Sequence, residues 1–319
     1  MQAVHLYYHG LKVTVEAEHG KFLDLLVSYH DFLKSDENVE YREEIHIHVN
    51  SGKRLENEFF GSVYVDENSI MKRCSSRKMA EVSINPYTND VTASLPSPDD
   101  FIIEALFEAV FMQPLKYLAK KHGIFFMHAS SVALNRDTGI LFIGDQGAGK
   151  STMALNLLMH GYYYVAEESP AVVVRDNEPV LYGFPEPLGI SRKSLVNFPM
   201  LKKYCSETTF PYLKHRIRFD TIKPGMTLKE CRPAAIFFPE YRDHKSHEFE
   251  ELTTEDAMKT ILGLELELYQ DKFNLELAQQ HMAALGTLVE GTRIFRMFYN
   301  DSCLSDIPAS IANLLTDVT

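Results

Sequence analysis

Hydrophobic and polar positions alternate along much of the first hundred residues, and then the period changes. LKVTVEAE, EEIHIHVN, GSVYVDE and AEVSIN place apolar side chains at every second position, the pattern of strands with one buried face. GKFLDLLVSYHDFL interrupts them with apolar residues at helical spacing. NPYTNDVTASL predicts a hairpin turning at Thr88, Asn89 and Asp90. LPSPDD, residues 95 to 100, is the clearest punctuation in this half, so the pattern predicts a strand-rich α+β domain over 1–98 and a second domain over 99–319. FIIEALFEAVFMQPLKYLAKKHG then predicts a long helix, kinked near Pro114 and closed by Lys120, Lys121, His122 and Gly123. Strand, turn, strand, glycine-rich loop, helix and strand follow. RPAAIFFPE and TRIFRMFY read as strands, and TTEDAMKTILGLELELY, FNLELAQQHMAALGTLVEG and SDIPASIANLLTDV as helices. Such alternation predicts an α/β core.

The most informative stretch is GDQGAGKST. Gly144 through Ser151 fits G-x-x-x-x-G-K-[ST], with the short apolar strand GILFI before it and the amphipathic run STMALNLLMHG after it. Each residue type has a reason. Glycines let successive backbone N–H groups turn toward one anion, and the helix that starts there adds its positive end. Lys150 reaches the terminal phosphates, and the Ser151 hydroxyl is placed to ligate Mg²⁺. The expected nucleotide contacts are Gly144, Asp145, Gln146, Gly147, Ala148, Gly149, Lys150, Ser151 and Thr152.

GYYYVAEE ends a buried-looking strand in two carboxylates, Glu167 and Glu168. A helix from Lys150 to His160 rises about 16 Å, and a strand from Tyr162 to Ala166 returns about 16 Å. If that strand lies beside the one leading into the loop, both acids emerge next to the bound phosphates, where phosphoryl transfer needs an acid to hold Mg²⁺ or to take a hydroxyl proton. IFFMHASSVALN and GILFIGD flank a turn at 135–139. With Asn135 opposite Gly139, His128 falls opposite about Gln146, inside the loop, as a contact to the terminal phosphate or as a structural histidine.

Composition narrows the classes. Hydrophobic residues make up 45% of the 319, enough for a sizeable core, and the net charge of −12 argues against non-specific binding to nucleic acid or anionic membrane. No run approaches the ~20 apolar residues of a membrane span. The start, MQAVHLYYHG, has no signal-peptide pattern. The expectation is a cytoplasmic protein, compatible with a homo-oligomer, with neither nucleic acid nor membrane as partner. Cys74, Cys205, Cys231 and Cys303 are scattered, which gives no zinc ribbon or redox dithiol. His46 and His48 share one side of a strand without a third ligand. HKSH at 244–247 reads as a solvated loop, and Arg216 and Arg218 as residues flanking a strand. N-K-x-D and L-S-G-G-Q are both absent, which disfavours a GTPase and a transport ATPase.

Together, HASSVAL, GILFIGDQGAGKST and GYYYVAEE resemble the catalytic core of the HPr kinase/phosphorylase family over roughly residues 124 to 175. That family has a histidine strand, a phosphate loop of the form G-x-x-G-x-G-K-S, and a strand ending in valine–alanine–aspartate–aspartate. The resemblance implies a phosphoenolpyruvate-carboxykinase-like fold with a P-loop core of mixed sheet and helices, ATP and Mg²⁺ as cofactors, and a serine hydroxyl of a protein or peptide as acceptor. Related kinases phosphorylate precursor peptides of the lasso type. By resemblance, Glu167 matches the catalytic base, Glu168 its metal-binding or orienting neighbour, and His128 the histidine near the transferred phosphate. Lys150 matches the lysine on the β- and γ-phosphates. GFPEPLGISRKS offers Glu186 as a second metal ligand and Arg192 as a phosphate clamp. Two alternatives stay open: a small-molecule kinase with the same core, and a nucleotide-binding regulatory module with little catalysis, which the glutamates standing where the family has aspartates motivate.

Overall fold

A computed structural model describes residues 2–30, 33–34, 40–52, 63–65, 71–74, 81–95, 108–205, 215–243, 246–264 and 274–316. The architecture is mixed α/β, in two compact units, Met1–Ile124 and Phe125–Thr319.

The first unit is built on a seven-stranded sheet. Its strands are β1 (Gln2–Tyr8), β2 (Leu11–Ala17), β3 (Glu43–Ser51), β4 (Val63–Val65), β5 (Met71–Cys74), β6 (Glu81–Asn85) and β7 (Asp90–Leu95), ordered β1-β2-β3-β7-β6-β5-β4. Alternation fixes the faces. Val13, Val15, Ile45, Ile47, Val49 and Val91 are fully buried, together with Phe22 and Leu26 of α1 (Gly20–His30). His46 and His48 point the other way, where His48 lies 3.1 Å from Glu16 and His46 lies 4.0 Å from Glu44. The hairpin turns where its sequence predicts, with Asn85 across from Asp90 and Asn89 at φ +60°.

The helix expected from residue 101 is described from Glu108 onward, the stretch 101–107 lying outside the described residues. A π-helical turn, Glu108–Met112, precedes α2 (Gln113–Ala119). Pro114 sits in the first turn of α2. A proline there has no N–H to give the preceding turn, and the widened π turn absorbs the mismatch. Gly123, at φ +70°, closes the segment.

The second unit holds a nine-stranded sheet. Its elements are β8 (Phe125–Phe126), β9 (Ala129–Ala133), β10 (Thr138–Ile143), α3 (Lys150–Met159), β11 (Tyr163–Glu167), β12 (Ala171–Arg175), β13 (Glu178–Tyr182), β14 (Leu188–Ile190), α4 (Arg192–Asn197), β15 (His215–Ile217), α5 (Phe219–Ile222), β16 (Glu230–Tyr241), β17 (Glu248–Glu251), α6 (Thr254–Leu264), α7 (Leu275–Glu290), β18 (Arg293–Tyr299) and α8 (Ile307–Leu315). β14 and β15 form a separate pair. The main order is β11-β9-β10-β16-β13-β12-β8, with β18 beside β16 and β17 beside β18. β10, β16 and β18 are parallel, while β9 is antiparallel to both of its neighbours.

Every residue of β10 is buried, because the sheet is covered on both faces. Ile140 and Phe142 face one core with Phe237, Phe295, Leu157 of α3 and Ile311 of α8. Leu141 and Ile143 face a second core with Ile236, Leu285 and Leu288 of α7 and Ile261 of α6. α3 packs over β9 and also touches β10 and β11. The Asn156 amide donates to the Leu304 carbonyl (2.7 Å), and the Lys223 ammonium donates to the last carbonyls of α3, Leu158 O and Met159 O.

Two sequence expectations need correction. β11 does not lie beside β10, because β9 stands between them. The hairpin register is also two residues off the expected one. Gly139 pairs with Ala133 and Ile143 with Ala129, so His128 stands level with Gly144 rather than Gln146. The cause is Asn135, whose side-chain oxygen accepts from the N–H groups of Asp137 and Thr138. That turn takes Asn135 out of the ladder and leaves Leu134 to bond Thr138.

Phe237 is fully buried, with ring centroids 5.7 Å from Phe142 and 5.3 Å from Phe295. Phe237→Ala is expected to cost about 3–5 kcal/mol of stability, measured by denaturant unfolding. A loss below about 1 kcal/mol contradicts this packing.

Candidate functional site

The chain turns from β10 into α3 over residues 144–149. Two positions of that turn require glycine: Gly147 at φ +88° and Gly149 at φ +107°. The Ala148 N–H donates to Asp145 O (3.1 Å), closing the turn. Lys150 is buried, and its ammonium donates to Gly144 O (2.6 Å) and Asp145 O (3.2 Å), so the cation sits inside the curve of the loop. Asp145, Gln146 and Gly147 are exposed, and Ser151 and Thr152 are half-buried at the start of α3. No side chain caps that helix end, which leaves the positive end of its dipole directed at the loop.

Tyr299, at the end of β18, closes the loop from one side. Its hydroxyl donates to Ala148 O (3.2 Å). A Cβ on Gly149 would stand 2.7 Å from Tyr299 Cζ and nearer still to its hydroxyl, so the close approach demands glycine as much as the dihedral does. Burial, then the charge of Asp301, pushes the Tyr299 phenol up to about 12.

The carboxylates occupy the other side. Glu167 pairs with Ser130, which pairs with Phe142, so the acid reaches the same end of the sheet as the loop, two strands from β10. Two strand spacings are about 10 Å, but α3 lies over the intervening β9 and bridges them. Paired residues project on one face. Tyr164 and its partner Val132 lie in the core beneath α3, so Ser130 and Glu167 project toward α3 as well.

Glu167 is 3% exposed, and its Oε2 accepts from the Gly189 N–H (2.7 Å). Glu168 follows at φ +69°, a left-handed conformation that costs a non-glycine residue about 1–3 kcal/mol and is typical of functional turns. The Tyr164 hydroxyl donates to the Glu186 carbonyl (2.6 Å). Burial, then the charges of Glu167 and Glu186, holds the Tyr164 phenol well above its usual range, while Arg216 opposes them. Glu167, Glu186 and Arg216 therefore gather around Tyr164. Arg216 is exposed and donates to Pro187 O (3.4 Å). Arg192 lies exposed at the start of α4, after its cap Ser191. His128 is exposed at the foot of β9.

The oxygen donors suit a hard cation. The Ser151 hydroxyl and the carboxylates of Glu168 and Glu186 are of the type that Mg²⁺ takes in small number, completed by phosphate oxygens and water. Among the described residues no three His, Cys, Asp or Glu converge as an all-protein metal cage. Among the same residues no helix is long and apolar enough to cross a membrane.

Sequence reasoning singled out the loop and the acids but missed Tyr299, Tyr164 and the Gly189 amide. TRIFRMFY reads as a strand from its alternation alone. That its last tyrosine meets the loop follows from the parallel register of β16 with β18, which local sequence does not carry.

No protein-family model matches the chain, and no curated protein matches it. Among solved structures, the Hpr(Ser) kinase/phosphatase from Coxiella burnetii aligns with a TM-score of 0.31 and 10% identity, over 60% of this chain and 95% of that one. The similarity is distant.

Gly149→Ala is expected to destabilise the fold by more than the 1–2 kcal/mol of a left-handed L residue, because the added methyl also meets Tyr299. Adding Tyr299→Phe recovers part of that loss in a double-mutant cycle, and strict additivity contradicts the contact. The phenol supplies a pH test. An unfolded tyrosine ionises near 10, and Tyr299 in the fold near 12. Its stabilisation is thus complete below pH 10 and lost as pH rises toward 12. Tyr299→Phe should flatten part of the alkaline limb of an unfolding profile; an unchanged limb counts against the assignment.

Proposed function

We propose that the chain is an ATP-dependent kinase that transfers the γ-phosphate to a serine hydroxyl of a protein or peptide. The observation that carries this reading is the loop over 144–149, with the Lys150 ammonium folded onto its carbonyls and Glu167, followed in the chain by Glu168, at the end of β11 on the flank that α3 covers. Backbone N–H groups and the α3 dipole suit a triphosphate, and Lys150 can exchange its loop carbonyls for phosphate oxygens without leaving the site.

In the proposed reaction the serine oxygen forms a bond to the γ-phosphorus, the bond from that phosphorus to the β–γ bridging oxygen breaks, and ADP leaves. The serine proton passes to the carboxylate of Glu167. The Gly189 N–H holds that carboxylate in one orientation, which is what positioning by a base requires. Mg²⁺, held by Ser151 and Glu168 with Glu186 within the same acid cluster, would neutralise charge on the phosphates. His128, level with Gly144, would contact the transferred group. Phosphoryl transfer depends mainly on positioning and charge neutralisation, and these residues are of the types that supply both.

A second reading has its own observation. Glu167 is almost fully buried and already holds a backbone amide, which also suits a structural acid in a nucleotide-binding module without transfer.

Glu167→Gln separates the two. The amide oxygen still accepts from Gly189, so the fold and ATP binding are expected to survive, while transfer from labelled ATP to serine peptides falls about 10²–10⁴-fold. Lys150→Ala should lower both binding and transfer. Wild-type protein that binds ATP and labels no acceptor, protein or small molecule, favours the module; labelling of small molecules alone points to a metabolite kinase.

A further inference from the structure

The loop has two unlike flanks. On the β9–β11 side stand the carboxylates. On the β16–β18 side stand aromatic rings. β16 runs parallel to β10 but continues past it, pairing Phe142 with Phe237 and then extending to Tyr241. Pro239 lies against Gly144, where a Cβ would come 3.9 Å from the proline Cδ. Tyr241 pairs with Tyr299. The two rings meet edge to face with centroids 5.6 Å apart at 88°, and Tyr299 in turn holds Ala148 O. The buried Tyr299 thus braces a half-exposed Tyr241 (49% exposed) one ring away from the loop. The Lys193 ammonium lies over the Tyr241 ring, 5.0 Å from its centroid, in a cation–π contact.

From this arrangement we infer that Tyr241 is the platform on which the nucleotide base stacks. The inference rests on the proposed function, which requires the γ-phosphate to face Glu167 and Glu168. A triphosphate lying along the loop with that end toward β11 directs its α-phosphate, ribose and base toward β16 and β18. Ligands in open α/β sheets bind beyond the carboxyl ends of parallel strands, and β10, β16 and β18 bring theirs together there. An exposed tyrosine at that edge offers a π face that a purine or pyrimidine ring can cover. Stacking tolerates different bases, since each has such a face. Lys193, displaced from the ring, remains beside the α-phosphate.

The experiment is calorimetric titration of the full chain, with Mg²⁺, by ATP and separately by inorganic tripolyphosphate, which has the phosphates without the base. Tyr241→Ala is expected to weaken ATP about tenfold and leave tripolyphosphate unchanged, and Tyr241→Phe is expected to retain wild-type affinity for both. Unaltered tripolyphosphate binding also reports that the variant is folded. Equal affinity of the wild type and Tyr241→Ala for ATP, or equal weakening of both ligands, overturns the stacking while leaving the loop's role standing. Wild-type protein that binds neither ligand overturns the nucleotide reading and the platform with it.

Discussion

The second unit depends on a tight reversal between Ile143 and Lys150. A strand buried on both faces must become a helix within a few residues, and two of those residues adopt left-handed dihedrals open to glycine. The same reversal brings the Lys150 ammonium into the curve of the chain and leaves the first turn of α3 without a side-chain cap. A loop built that way concentrates positive potential at one point. Its surroundings follow from the constraint: Tyr299 fits against Gly149 because no side chain is there, and α3 is held in place by Lys223, Asn156 and the apolar core beneath it.

The antiparallel β9 is the feature that organises the two flanks. It separates β10 from β11 by one strand, and α3 rides above it. Glu167, the last residue of β11, therefore stays on the helix face without crowding the loop strand. Glu167 is anchored on Gly189, and Glu168 occupies a left-handed conformation at the turn that leaves the sheet. Strain at such a position persists when the surrounding structure over-determines it. Here Ser169 and Pro170 are buried directly behind it, and Pro170 O accepts from the Met127 N–H.

Much of this was legible in the sequence where the signal is local. GILFI before the loop and STMALNLLM after it became β10 and α3. NPYTND became the turn of the β6–β7 hairpin, and IHIHV sorted its valine and isoleucines inward and its histidines outward. What failed was relative placement. Counting residues back from Asn135 misses that its side chain closes an Asx turn, and that turn shifts His128 by two positions. Matching helix and strand lengths correctly returns the chain to the loop's end of the sheet, but length carries no information about which strand is the neighbour. The tyrosines beside the loop were invisible for the same reason. Tyr241 and Tyr299 are distant in sequence and meet through strand pairing.

The central claim is that one nucleotide spans the loop, its terminal phosphate toward Glu167 and Glu168. A crystal structure with a non-hydrolysable ATP analogue and Mg²⁺ tests it directly. The account predicts β- and γ-phosphates against the amides around Gly147 to Lys150, the lysine ammonium on their oxygens, and at least one of the two glutamates within hydrogen-bonding or metal-bridged reach of the γ-phosphate. An analogue bound elsewhere, or seated on the loop with both carboxylates turned away from its terminal phosphate, would contradict it.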